Sequence, residues 1–196
     1  MIGLLLALFT GVFTDTKTPA DIHVIIATEL GEIELVLATE KAPATVANFL
    51  SYVDRRFYDG GVFHRTVTPE NQPHHKIKTE VIQGGINPVR SGDDGPPIAL
   101  ERTRDTGLYH LDGTISMARL EPDTATSDFF ICVNDQPALD FDGKRNPDGQ
   151  GFAAFGQVIR GIEIVRTIQK SPVDKQALSP PVKILSINRV DNEELH

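Results

Sequence analysis

The alternation of apolar and polar positions predicts a mostly β protein. Between Ile22 and Leu37 two apolar runs flank Glu29-Leu30-Gly31-Glu32, and in the second Ile33, Leu35 and Leu37 alternate with Glu32, Glu34 and Val36. That period of two is a hairpin with one buried face. Pro43 then opens a helix where its missing N–H is harmless, and Val46, Phe49, Leu50 and Val53 recur at helical spacing, a single stripe to lay on a sheet. Asp59-Gly60-Gly61 turns the chain into a strand over Val62 to Val67, which Val81-Ile82-Gln83 answers. Further strands follow at each end of the stretch from Gly113 to Val133, over Phe152 to Ile159 and over Val182 to Val190, with a short helix over Ile162 to Ile168. Strands outnumber helices and seldom alternate with them, so a doubly wound parallel sheet is disfavoured and an antiparallel barrel with helical lids favoured.

The stretch from Gly113 to Val133 organises the rest. A Pro/Asp/Thr/Ser loop leaves the sheet and returns to it, and on the returning strand Asp128, Phe130 and Cys132 face one way while Phe129, Ile131 and Val133 face the other. One phenyl ring then serves the core and its neighbour a surface pocket. Two loops punctuate the pattern. Thr68 to Lys78, with Pro69, Pro73 and His74-His75-Lys76, reads as a surface loop, and Gln136 to Gly151 as a long connection. His64 alternates away from Arg65 and reads as a buried, hydrogen-bonded histidine.

A chain of 196 residues, 40% hydrophobic and 23% charged, suits one globular domain. Its net charge of −8 argues against a nucleic-acid surface. The lone cysteine, Cys132, reads as an inert buried thiol. His74-His75 lacks carboxylate or cysteine partners at ligand spacing, and Gly84-Gly85 lacks the spacing of a dinucleotide loop, so neither metal nor cofactor is expected. Met1 to Phe13 is almost wholly apolar and runs into a polar linker, so residues 1–20 suit a secretory signal segment too short to span a bilayer. An additional strand or a misassigned start codon is the alternative, since no Lys or Arg precedes the run. The expected organisation is this segment, a domain over 21–191 and a tail over 192–196. Export to the periplasm or medium is the expected location, with the cytoplasm as the alternative.

Ser116-Met117-Ala118, the loop after it and Phe129-Phe130-Ile131 resemble the most diagnostic segment of the cyclophilin-type peptidyl-prolyl cis-trans isomerases. Phe63-His64-Arg65, Ile82-Gln83-Gly84-Gly85 and Phe155-Gly156-Gln157-Val158 match in the same order, so the resemblance runs from about Ile22 to Val190. It implies a closed antiparallel eight-stranded β-barrel capped by two α-helices, a groove on the barrel's outside and proline-containing polypeptides as substrates, handled by a monomer of bacterial type.

The chemistry so implied suits the residues present. Rotation about a peptide bond faces a barrier of about 18–20 kcal/mol. A catalyst has only to stabilise the twisted amide, and no Ser/His/Asp set or metal cluster can be placed in one site. The resemblance gives Arg65 the role of a permanent donor to the prolyl nitrogen, and Gln83 that of holding Arg65 or binding the substrate carbonyl. It makes Phe130 the floor of the proline pocket, with Val81, Leu139 and Phe152 around it, and Ala118 and Arg119 the backbone edge that receives the peptide. Four departures from the family's pattern stand out. Asp128 replaces a glutamine at the substrate-binding surface, where an anion is expected to pair with Arg65 or Arg119 and weaken the field at the amide. Glu80 and Val81 replace an aromatic residue and a methionine. Ala138 stands where eukaryotic members carry tryptophan, which implies weak cyclosporin binding, and Phe152 replaces a histidine or tyrosine. A peptide-binding module without turnover is the competing reading, and a chaperone-like protein docking through Thr68 to Lys78 a third.

Overall fold

The computed structural model describes residues 22–190, so the expectations for residues 1–20 and for the tail lie outside the described residues. Its strands are β1 (Ile22–Thr28), β2 (Gly31–Leu37), β3 (Val62–Val67), β4 (Val81–Gly85), β5 (Thr114–Met117), β6 (Phe129–Cys132), β7 (Ala153–Arg160), β8 (Val173–Asp174) and β9 (Ala177–Val190). The helices are α1 (Pro43–Asp54), α2 (Thr103–Thr106) and α3 (Ile162–Gln169). Hydrogen bonding runs β1-β2-β7-β5-β6-β4-β3-β9 and returns from β9 to β1, closing an antiparallel barrel of eight strands; β8 is appended to the start of β9. Closure leaves the ring without an edge.

The expected barrel and its two helices are present, with a single helical turn, α2, added in what reads as a charged patch. β9 is longer than its apolar run. It begins five residues earlier and passes through Pro180-Pro181, because its first residues pair with Asp174 and with Arg65.

One face of the strands fills the barrel. Phe63, Ile82, Phe129, Ile131 and Phe155 point inward with the buried stripe of α1, and Phe49 packs edge-on to Phe129 at 5.8 Å between ring centres. A second, smaller cluster lies on the outer face: Val67, Val81, Phe130, Cys132 and Leu139, roofed in part by Ala118 and Phe152. This separation is the alternation expected for β6.

Helix α1 has no side-chain cap from its own neighbours. Its first amides, Ala44 and Thr45, donate instead to the Glu101 carboxylate at 3.2 and 2.8 Å, an N-cap supplied from a distant loop. Asn48 of α1 donates to Thr126 O at 2.6 Å and Tyr58 to Ser127 O at 2.7 Å. Together they fix the loop that delivers Asp128 and β6. The 68–78 segment is largely exposed, but Gln72 is buried and its amide donates to both Thr68 O and Thr79 O, tying the loop shut.

Candidate active site

The outer-face residues of the barrel form one row across five strands. Arg65 on β3 stands opposite Gln83 on β4, Gln83 opposite Phe130 on β6, Phe130 opposite Ser116 on β5, and Ser116 opposite Ala154 on β7. Directly opposed side chains sit about 4.5–5.5 Å apart at Cβ, so this row places a guanidinium, an amide and a phenyl ring in series. A cavity of about 270 Å³ opens above it. Arg65, Gln83, Val81, Phe130, Leu139 and Phe152 line it, as do Ala118 and Arg119.

Arg65 is clamped. Its Nη1 donates to Gln83 Oε1 at 3.0 Å, while Nε and Nη2 both donate to Gln176 Oε1 at 3.0 and 2.6 Å. Gln176 sits in the turn between β8 and β9, and its own amide donates to Asn71 O at 3.1 Å. A guanidinium has five N–H groups, so two remain for another acceptor. No carboxylate pairs with Arg65 among the described residues. Burial, and after it the charge of Arg145, pulls this guanidinium down from its ordinary value.

Phe130 is nearly buried, and Phe152 meets it edge-on with ring centres 5.3 Å apart. Leu139, held in a 3₁₀ turn over Pro137–Leu139, closes the apolar side. Val81 lines the floor, whereas Glu80 turns away and accepts from Asn134 and Gln169. Ala118 donates its amide to Asp128 O at 2.9 Å. The Arg119 side chain does not reach into the groove as a free charge: it is paired with Asp148 at 2.8 and 3.0 Å, donates to Gly151 O and lies over the Phe152 ring.

Three expectations are corrected. Asp128 pairs with neither Arg65 nor Arg119 and does not line the cavity. It accepts from Gln83 Nε2 at 3.1 Å and lies 3.6 Å from His64 Nε2. Its carboxyl is raised above the ordinary value by burial, which outweighs the lowering by His64 and by the Gln83 hydrogen bond. A Cβ on Gly85 would collide with this carboxylate, so glycine there makes the space for it. Second, His64 is not buried; its side chain is 37% exposed on the Asp128 side, because a β-bulge at Phe63/Arg65 breaks the alternation. Third, a Ser/His/Asp set does exist. His110 Nδ1 lies 2.7 Å from Asp140 and Nε2 3.0 Å from Ser116 Oγ. Ser116 and His110 are buried, and the imidazole stacks on Phe130 with centres 5.9 Å apart. With its hydroxyl sealed off from solvent, Ser116 is no nucleophile; the set braces the ring beneath the cavity.

Sequence reasoning missed Arg145, Gln176 and His110. Arg145 lies within a polar loop and Gln176 in a two-residue turn, and nothing in their local pattern marks either. His110 had a signal, being three residues before the Gly113 that opens β5, but its partners meet it only through the fold. No cluster of metal-ligating side chains occurs among the described residues, and none of their helices is long and apolar enough to cross a membrane.

The family model for cyclophilin type peptidyl-prolyl cis-trans isomerases matches residues 23–189. The chain is 41% identical over 151 residues to peptidyl-prolyl cis-trans isomerase A of Dickeya dadantii, covering 76% of this chain and 71% of that protein. It is 33% identical over 183 residues to a peptidyl-prolyl cis-trans isomerase of Acinetobacter baylyi, covering 90% of each. Among solved structures, a Cryptosporidium parvum cyclophilin type peptidyl-prolyl cis-trans isomerase superposes with a TM-score of 0.70 at 25% identity, covering 88% of this chain and 99% of that one. A second structure of that protein, in the presence of the dipeptide ala-pro, gives 0.69 at 26% identity, covering 87% and 99%. The barrel, the outer groove and these matches agree: the chain belongs to the cyclophilin-type peptidyl-prolyl cis-trans isomerases, enzymes that turn the bond preceding proline.

Proposed function

We propose that Arg65 is the catalytic residue and acts by donating to the prolyl nitrogen as the amide twists. When conjugation is lost, the nitrogen lone pair localises and becomes basic, while the carbonyl keeps its own electrons. A fixed positive donor beside that nitrogen favours the twisted form over either planar isomer, which is the differential binding catalysis needs. The single observation that carries this reading is the clamp. Two glutamines orient Arg65 with neutral oxygens, leaving its charge uncompensated and two N–H groups free beside an apolar hollow floored by Phe130.

Gln83 is then a positioning residue, with its amide oriented by Asp128 on the other side. Phe130, Leu139, Val81 and Phe152 receive the pyrrolidine ring, and the Ala118–Arg119 backbone edge receives the flanking chain. The dipeptide named for the Cryptosporidium relative is of the X-Pro kind this hollow would admit. Arg65→Ala is expected to lower kcat/KM on an X-Pro peptide by about 10²–10³-fold, the range seen when one preorganised donor is removed. A rate within threefold of the parent, in a variant that still melts cooperatively, would defeat the assignment. The apolar run of Met1 to Phe13 supports export, so the clients would be polypeptides folding outside the cytoplasm. Sequencing the amino terminus of periplasmic material tests this, and an intact Met1 would count against it.

A further inference from the structure

The cavity carries more positive charge than a neutral prolyl amide calls for. Beside Arg65 it is lined by Arg145, from the loop that precedes β7. Arg145 is held in place: Nη1 donates to Ile77 O at 2.7 Å across the groove, and its backbone amide donates to Ala138 O at 3.1 Å. Among the described residues neither guanidinium has a carboxylate within ion-pair distance. The third arginine of the lining, Arg119, is neutralised by Asp148. Two uncompensated charges therefore face one half-buried hollow in a chain whose net charge is −8. Burial lowers Arg145 from its ordinary value, and burial followed by the charge of Arg145 lowers Arg65. An anion between them relieves both.

We infer that Arg145 makes this groove selective for substrates with a carboxylate adjoining the proline, either the side chain of a neighbouring Asp or Glu or the terminal carboxylate of a chain that ends there. The inference rests on the isomerase reading of the cavity given above and adds a substrate class to it. Arg65 cannot serve the carboxylate alone, since the clamp leaves it only two N–H groups and the amide needs them. Arg145 spends one N–H on Ile77 and has four left, enough for a two-pronged grip on a carboxylate.

The test compares X-Pro peptides that differ only next to proline, carrying Glu, Gln or Lys, together with a pair ending just after proline as the free acid or the amide. Each is measured for isomerisation and, separately, for binding by fluorescence titration. The expected result is a Glu-to-Lys ratio in kcat/KM of about tenfold at low salt, with Gln between, shrinking as salt is raised. In Arg145→Gln that ratio falls to near one, and Arg145→Lys restores part of it. The free-acid and amide pair shows whether a chain terminus is read as well as a side chain. Equal rates for Glu, Gln and Lys, or a preference that persists in Arg145→Gln, overturn the inference. Should no peptide be isomerised, the catalytic reading fails by itself, and the titrations still decide whether a carboxylate is selected through Arg145.

Discussion

Gln176 allows the two requirements that the proposed catalysis places on Arg65, orientation and unneutralised charge, to be separated. Its Oε1 takes two N–H groups of the guanidinium, at 3.0 and 2.6 Å, and its Nε2 is anchored on Asn71 O. Gln176→Ala removes both bonds. Hydrogen bonds with one charged partner contribute roughly 1.5–3 kcal/mol each, but water refills the vacated acceptor site, so the lasting loss is fixed orientation. A deficit of about 1.4–2.7 kcal/mol at the transition state is about 10–100-fold in rate. Gln176→Glu is the sharper variant. It keeps the shape and both contacts to Arg65 while giving up the donor to Asn71 O, so Arg65 stays paired, yet a carboxylate now sits against the guanidinium. At about 4 Å and an effective dielectric constant of about 20 the pair attracts by roughly 4 kcal/mol, so it persists and the field at the amide nitrogen shrinks to that of a dipole. In a protease-coupled assay on an X-Pro peptide, with melting curves alongside, Gln176→Glu is expected to keep a cooperative melt and to turn over at least about 10²-fold more slowly. A Gln176→Glu enzyme within threefold of the parent would show that the unneutralised charge of Arg65 is not what the site uses.

Two further predictions concern groups that shape the site from behind. Glu101→Ala uncaps α1 and is expected to destabilise by about 1 kcal/mol, lowering Tm by about 2–4 °C, with turnover retained; an unchanged Tm would mean water caps the helix equally well. Asp128 has a folded-state pKa raised above 3.8, so its charged form is penalised in the native protein. The penalty is absent below pH 3.8, where both states are protonated, and complete above the folded pKa. Asp128→Asn keeps an acceptor for Gln83, so it is expected to raise Tm at pH 7 by an amount that vanishes as pH falls towards 3.8. A gain that grows on acidification would mean that the folded protein does not penalise the charged form of Asp128.

The barrel was legible because its signal is periodic. Alternation in β2 and the stripe of α1 each follow from one apolar face, and alternation in β6 divides its residues between the core and the outer cluster. Arg65, Gln83 and Phe130 were legible from motifs, and the register explains why three segments far apart in the chain contribute to one row. What stayed hidden depends on position in space alone. Gln176 reaches Arg65 because β9 runs past its apolar stretch to pair with Asp174. Arg145 enters the cavity because its loop folds against Ile77. Asp128 does not pair with Arg65 because Gln83 stands between them and occupies each with a different end of its amide.

The placement of Arg65 itself turns on one extra residue. Phe63 points into the barrel, and strict alternation along β3 would send Arg65 in after it and leave His64 and Thr66 outside. Instead Thr66 is buried, Val67 belongs to the outer cluster, and Arg65 faces the groove, because Phe63 and Arg65 oppose the adjacent residues Gly84 and Gln83. His64 is the inserted residue of that bulge. Deleting it offers the chain two poor choices: a guanidinium among Phe63, Ile82 and Phe129, or a register slip that takes Gln83 and Val81 off the outer face. A buried charge stripped of its partners destabilises by about 3–5 kcal/mol, so the deletion is expected to lose both stability and turnover. His64→Gly keeps the extra residue, and so is expected to keep Arg65 outside and the enzyme active. If the deletion melts and turns over like the parent while His64→Gly does not, the side chain of His64 and not the bulge governs where Arg65 sits.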